Sequence, residues 1–303
     1  MNFSWYVPDD FPRKSLEKFL EHQGLSKSII AKTKFNGGAI YVNHHRRNTD
    51  YSIKPKDHIT VTLPPEKDAK HLVPVHRPLD IIFEDPHFLV VNKPAGLPSI
   101  PSRSSFYDSV ANRVKGHLVR RAHESLAIHV VSRLDQDTSG LMLFAKHSFA
   151  HSVMAKQLHQ QAMQKYYLAL VVGHLSKTQG LIDQPIKRMA PYAMKRGVSI
   201  GGRPAQTKYQ VLAEFSDMSL VQLKLLTGRT HQIRVHMQWL GHPLIGDPLY
   251  NPENHQLHRQ ALHAWKLCFK HPFTSELLTF QAPLPADIQQ LLYQRGWSKN
   301  QMV

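Results

Sequence analysis

From Leu79 onward the chain is a succession of short apolar runs, most of them separated by turns and few by helices. Ile81-Ile82-Phe83, Phe88-Leu89-Val90-Val91, Ile128-His129-Val130-Val131 and Leu141-Met142-Leu143-Phe144 come first, and segments 166–172, 208–215 and 220–226 continue the series. Amphipathic stretches of helical length fall at 148–163, 230–240 and 286–294. A doubly wound parallel sheet needs a helix in nearly every crossover, because parallel neighbours cannot be joined by a tight turn. This chain does not supply them. The pattern predicts an α+β fold on a mixed or antiparallel sheet.

A smaller unit precedes that sheet, at 13–63. Leu16, Phe19 and Leu20 recur at helical spacing, Gly24 ends the helix, and Ser26 can cap a second one through Lys34. Gly37-Gly38 turns the chain into the strand Ala39-Ile40-Tyr41-Val42-Asn43, and Ile53, Ile59, Val61 and Leu63 alternate toward another. Segment 64–78, with Pro64, Pro65, Pro74 and Pro78 among charged residues, reads as a mobile linker. The expected division is therefore 13–63, a linker at 64–78, and a main domain at 79–297.

Charge narrows the partner. Lys and Arg number 38 against 22 acids, a net +16, and up to residue 63 there are only ten basic and six acidic side chains. The excess is spread along the chain, which suits a folded protein that holds a polyanion across a broad face. No apolar run approaches the roughly 18 residues of a membrane span. The start lacks a basic region followed by an apolar stretch, so no secretory signal is expected. The single cysteine, Cys268, excludes an intrachain disulfide and a multi-Cys zinc site. A cytoplasmic protein is the expectation.

Common cofactor motifs are missing. The sequence has no Gly-x-Gly-x-x-Gly, no Walker-type glycine loop and no Gly-x-Ser-x-Gly. His147 and His151 lie four apart on a predicted helix, but no third metal ligand lies nearby. Asp135-Gln136-Asp137-Thr138-Ser139-Gly140 imitates half a calcium loop, yet Lys146 stands where a bidentate Glu is required. No metal and no cofactor are expected.

That acidic stretch gains meaning from its company. Taken alone, it is what any tight inter-strand turn looks like. It reads Arg133-Leu134-Asp135-x-x-Thr138-Ser139-Gly140, and it is joined by Asn92-Lys93-Pro94-Ala95-Gly96 and Lys165-Tyr166-Tyr167. Thr227-Gly228-Arg229-Thr230-His231-Gln232-Ile233-Arg234, Gly246-Asp247-Pro248-Leu249-Tyr250 and Leu262-His263-Ala264 follow in order. Together these motifs resemble the RluA family of RNA pseudouridine synthases, from Leu79 to about Pro285. Ser132 and Gln136 depart from the family pattern, which usually has His before Arg-Leu-Asp and often Arg after Asp. The unit at 13–63 resembles the small alpha-L RNA-binding domain of a ribosomal small-subunit protein and many RNA-modifying enzymes. Its usual Val-Asn-Gly hairpin stands here as Val42-Asn43-His44.

The resemblance implies a catalytic domain on a mixed, bent, largely antiparallel sheet, with a small α+β RNA-binding domain in front. It implies isomerisation of uridine in RNA to pseudouridine, with the target nucleotide flipped out of its stack. Asp135 matches the catalytic aspartate, as nucleophile or as base on the ribose, an alternative the sequence leaves open. Arg229 matches the arginine that pairs with it, and Tyr167 the tyrosine that packs on the uracil. Arg133 is expected to enter the space left in the RNA, and Thr138, Ser139, Asn92, Lys93, His231, Gln232 and Arg234 to bind RNA or the uridine. Ribosomal RNA is the first choice of substrate and transfer RNA the second, with the protein a monomer and no nucleotide cofactor or membrane involved. The rival reading is a non-catalytic RNA-binding or ribosome-assembly protein on the same fold.

Overall fold

The computed structural model describes residues 1–66, 68, 72–102, 105–123, 125–191 and 193–298, and all that follows concerns these residues. The N-terminal unit contains β1 (Asn2–Tyr6), α1 (Leu16–His22), α2 (Lys27–Phe35), β2 (Ala39–Val42), β3 (His45–Arg46) and β4 (His58–Thr62). Ser15 and Ser26 cap the two helices, each hydroxyl accepting from a backbone N–H three residues on. The sheet order is β1-β4-β2-β3. Leu16, Phe19, Leu20, Ile40, Ile59 and Val61 are fully buried between helices and sheet. The expected start at residue 13 falls short: β1 is an edge strand paired with β4 from Asn2↔Thr62 to Tyr6↔His58. Phe3 and Trp5 carry the period-two signal that places it there.

The main domain runs through β5 (Ile81–Glu84), β6 (Phe88–Lys93), α3 (Val110–Arg120), β7 (His129–Val130), β8 (Ser139–Ala145), α4 (Ser148–His159) and β9 (Gln164–Val172). It continues with β10 (Gln179–Asp183), β11 (Ile186–Arg188), β12 (Arg196–Val198), β13 (Gln206–Glu214), β14 (Met218–Leu225) and α5 (Gln232–Trp239). β15 (Leu262–Lys270), β16 (Leu277–Gln281) and α6 (Ala286–Tyr293) complete it. Ten strands form one sheet in the order β10-β13-β14-β9-β15-β8-β6-β5, with β16 beside β15 and β7 beside β8. Only the β15–β8 pair is parallel, so the sheet is mixed and mostly antiparallel. Its position is fixed by Gly140, at φ +110, where an added Cβ would lie 2.3 Å from the carbonyl oxygen of Ala264. No helix is long and apolar enough to cross a membrane.

The linker at 64–78 is not the free spacer its prolines suggest; Lys67, Ala69, Lys70 and His71 lie outside the described residues. Glu66 accepts from His129 Nε2 and from the Ser148 backbone N–H that opens α4. Leu72 is buried in the main core, and Val75 N–H donates to the Asn112 carbonyl on α3. Phe149, in the first turn of α4, packs into the hydrophobic core of the N-terminal unit, and Ser152 Oγ donates to Gly24 O at 3.2 Å. The two units therefore share a packed seam. Composition made the prolines legible but not these long-range contacts.

Candidate active site

The loop between β7 and β8 is pinned at almost every residue. Ser99 brackets Leu134, its hydroxyl accepting from the backbone N–H at 3.0 Å and donating to the carbonyl at 2.7 Å. Lys93 lies beneath the loop, 1% exposed, and donates to the carbonyls of Pro94, Leu97 and Gln136. Burial draws its ammonium down to about 7. Arg259, paired with Asp287, donates to the Asp137 carbonyl at 3.1 Å, and Gln136 Nε2 reaches Gly96 O at 3.2 Å. The result is a rigid turn that leaves Asp135 lining a cleft of about 650 Å³.

The opposite wall comes from the segment between β14 and α5. Gln232 ties that turn together: its Oε1 accepts from Thr227 Oγ1 and Arg229 N–H, and its Nε2 donates to Gln206 O and Thr207 Oγ1. His231 takes a left-handed conformation, φ 56, directly before the helix. The side chain that meets Asp135 comes from the first turn of α5. Arg234 Nη1 donates to Asp135 Oδ2 at 3.2 Å, while its Nε and Nη2 hold both oxygens of Asp247 at 2.7 and 2.8 Å. Asp247 is 0% exposed and also accepts from the Leu249 and Tyr250 backbone N–H groups. Burial lowers the guanidinium's affinity for its proton, but the Asp247 and Asp135 carboxylates outweigh it, so the pKa of Arg234 stands above its ordinary value. Tyr250 closes the arrangement: Arg234 lies 5.0 Å from its ring centroid, and its hydroxyl is 3.1 Å from His231 Nδ1. His231 Nε2 is in turn 3.9 Å from Asp135 Oδ2.

Strand β9 supplies the third wall. Alternation turns Lys165 and Tyr167 toward the cleft and their neighbours away from it. Tyr167 is 6% exposed, and burial, reinforced by the Asp135 charge, raises its phenol pKa. Burial likewise draws Lys165 down to about 8.

The expected residues thus separate into two groups. Asp135, Tyr167, Arg133, Thr138, His231 and Arg234 line one cleft with Arg229 at its rim. The pairing expected between Arg229 and Asp135 is corrected: Arg229 donates through Nε to Pro204 O, and Arg234 makes the carboxylate contact. The left-handed residue at 231 starts the helix late, so Arg229 stays in the turn and Arg234 reaches inward. Gln232 also lines the cleft, with its amide bonded inside the protein, whereas Lys93 and Ser139 are buried, line the cavity behind the loop and are bonded inside the protein, Ser139 to His263 Nδ1 at 2.9 Å. Asn92 bonds Asp80 at 2.9 Å and lines a separate cavity behind the loop. Sequence reasoning missed Asp247, Tyr250 and Lys165 as site residues. Each stands in a motif already noticed, and the signal was a charged or phenolic group placed where the chain must be buried.

Comparison with known proteins follows the same residues. The sequence model of the family described as RNA pseudouridylate synthase matches residues 87–239, a span that includes Asp135, Tyr167, Arg229 and Arg234. The uncharacterized RNA pseudouridine synthase YjbO of Bacillus subtilis (strain 168) is 40% identical over 92% of this chain and 98% of its own. Ribosomal large subunit pseudouridine synthase D of Zymomonas mobilis is 37% identical over 81% of each chain. Among solved structures, human RNA pseudouridylate synthase domain containing 4 superposes with a TM-score of 0.58 at 26% identity, covering 71% of this chain and 92% of that one.

Proposed function

The chain belongs to the RNA pseudouridylate synthase family, and from that premise we propose that it isomerises uridines of ribosomal RNA, with Asp135 acting on the ribose of the flipped nucleotide. The reaction breaks the bond from uracil N1 to ribose C1′, turns the ring over and joins C5 to C1′. The proton lost from C5 is balanced by one gained at N1, so no oxidant, water or phosphoryl donor is consumed. The observation that carries this reading is the carboxylate–guanidinium–carboxylate line Asp135–Arg234–Asp247 on the cleft wall. A carboxylate shielded from water by a bound base needs an adjacent fixed cation to stay ionised. Arg234 supplies it, and Asp247 holds Arg234 from behind.

Tyr167 works as a neutral phenol. Burial and the neighbouring carboxylate both oppose its ionisation, which suits a ring that packs on the uracil and offers a hydroxyl to it. Arg133, exposed at the cleft edge, is placed to fill the gap the nucleotide leaves. Thr138 and His231 complete the pocket, and Arg229 faces the flanking backbone. The ribosomal target is supported by the named relatives and by the N-terminal unit, read here as an alpha-L RNA-binding domain. We read the protein as a monomer, and a substrate of this kind is met in the cytoplasm.

The test is to delete the gene and map pseudouridines across ribosomal and transfer RNA. Sites lost from ribosomal RNA should return with the wild-type gene and stay absent with Asp135→Asn. Losses confined to transfer RNA would overturn the substrate, and restoration by Asp135→Asn would overturn the role of the residue.

A further inference from the structure

We propose that the face of the large sheet turned away from the cleft carries a second RNA-binding surface, a row of lysines that holds the phosphate backbone of the substrate at a distance from the flipped uridine. The proposal rests on RNA being the substrate and adds to it where else that RNA is held. It begins with β9, whose alternation sends Tyr167 into the cleft and Tyr166 to the back.

Tyr166 lies in a continuous cross-strand row. The register pairs Leu181 with Lys208, Lys208 with Lys224, Lys224 with Tyr166, Tyr166 with Lys266, and Lys266 with Gln281. Directly paired residues share a face, and neighbouring strands lie about 4.8 Å apart, so the three lysines span about 14 Å. Lys224 Nζ stands 5.2 Å and Lys266 Nζ 5.8 Å from the Tyr166 ring centroid, which puts the ring between two ammonium groups. Gln164 Oε1 accepts from both the Tyr166 hydroxyl and Lys224 Nζ, at 2.7 and 3.0 Å, and so fixes that arrangement. The next row along the strands is amide: Gln179 pairs with Gln210 and Gln210 with Gln222. Lys208, Lys224, Tyr166 and these glutamines line an open hollow of about 440 Å³.

Charge identifies the occupant. Lysines directly opposite one another, as Lys208 and Lys224 are, destabilise a sheet unless something offsets the repulsion. Among the described residues none of Lys208, Lys224 and Lys266 forms an ion pair, and Asp183 on the neighbouring row is bonded to Gln206 Nε2 at 2.8 Å. A phosphate backbone offsets that repulsion, and an aromatic ring among cations adds a stacking platform. A protein partner would want an apolar centre, and the one large apolar side chain exposed in the row is Leu181, at its end. Helix α6 covers the other part of this face through Leu168, Leu170, Leu291 and Leu292. The open part begins at β10, the last strand of the sheet order. The adjoining segment 186–203 holds Lys187, Arg188, Lys195, Arg196 and Arg203 and no acid. It leans on Tyr250 beside the cleft, where Arg196 N–H donates to the hydroxyl at 2.9 Å. RNA leaving the cleft can follow that basic edge onto the row.

The experiment uses the full chain and two RNAs: the hairpin around a mapped target uridine, and the same hairpin extended by its flanking ribosomal helices. The variant Lys208→Gln/Lys224→Gln/Lys266→Gln should melt like wild type and convert the short hairpin at the wild-type saturating rate with unchanged affinity. Its Kd for the extended RNA should rise roughly tenfold at moderate salt, and the slope of log K against log salt should flatten by about two. The matching Lys→Arg triple should bind both RNAs like wild type. Wild-type affinity and slope of the Gln triple on the extended RNA would overturn the proposal, as would an equal loss on both RNAs. A wild-type enzyme that binds the hairpin without converting it would count against the proposed function, which this binding readout leaves separate.

Discussion

The cleft and the seam between the two units both bury ionisable groups, and one group in each, Arg234 and His147, is held in the opposite state to the other. In the cleft, the buried guanidinium of Arg234 is kept charged by a carboxylate on each side. At the seam, the buried imidazole of His147 is kept neutral: burial pushes it down to about 3, with His87 adding to the effect. Its Nδ1 accepts from Ala150 N–H at the start of α4, its Nε2 faces His87 Nδ1 at 3.0 Å, and the rings of Phe3, Phe149 and Phe273 surround it. Arg234 is therefore disturbed when a partner is removed, whereas His147 is disturbed when a charge is added.

The largest effect expected is on the cleft's chemistry. Asp135→Asn should lower the single-turnover rate by at least about a thousandfold while RNA affinity stays near wild type, because binding comes mostly from phosphate contacts spread over the surface. Rate and Kd measured on one hairpin decide it. Residual turnover well above that floor would mean that Arg234 holds Asp135 for structure alone.

Next in size is the contrast between two arginines of one motif. Arg234→Gln leaves Asp247 buried without its cation and should cost about 3–5 kcal/mol of stability, together with the activity. Arg229→Gln should leave the free energy of urea unfolding within about 0.5 kcal/mol of wild type and flatten the salt dependence of RNA binding by about one. Equal destabilisation by both would erase the difference drawn between them.

That contrast also marks how far the sequence could be read. Short apolar runs placed β5, β6, β8, β9, β13 and β14, and the motifs at 133–140 and 227–234 pointed to one site. Which arginine meets Asp135 was not legible, because it depends on a left-handed residue at 231 that spacing alone does not reveal. Helix α3 is hard to read in the sequence although Val110, Val114 and Leu118 repeat every fourth residue behind the Ser109 cap; Asn112, Arg113, Lys115 and His117 disguise the stripe. The seam was invisible for another reason. Phe149 reads as one apolar residue of α4, and only the fold shows that it serves the core of the other unit.

The seam's own signature is acid sensitivity. His147 titrates near 3 when folded and near 6.5 when unfolded, so between those values the unfolded chain binds a proton that the folded chain excludes. Stability is then full above about pH 6.5 and falls as the pH drops toward 3, with a limiting slope of about 1.4 kcal/mol per unit. His87 is lowered as well, by burial first, and acts in the same direction. His263, held down to about 4 by burial within the main sheet, shares the window, so the readout must be local. Proteolysis of the 64–78 segment should rise between pH 7 and 5 in wild type, and His147→Asn, which keeps a capping side chain, should flatten that rise. A pH-independent cleavage rate in wild type would remove the distinction between the neutral His147 and the charged Arg234.

The smallest effect isolates one contact across the seam. Gly24, at φ +96, follows α1, and a Cβ built there would lie 2.8 Å from Val153 Cγ2 on α4 of the main domain. Gly24→Ala should cost about 1 kcal/mol for the left-handed backbone, plus the crowding of that methyl. Val153→Ala removes the methyl and leaves the backbone term untouched. In a double-mutant cycle read by urea unfolding, the pair should therefore be coupled by about 0.5–1 kcal/mol, the double variant being more stable than the two single losses imply. At the cleft, no such rescue is available for Gly140, where the opposing atom is a backbone carbonyl that no side-chain truncation can withdraw. Strict additivity at Gly24 and Val153 would mean that the N-terminal unit does not bear on α4 in solution. The seam would then be a tether, and its acid sensitivity would have to come from the main domain alone.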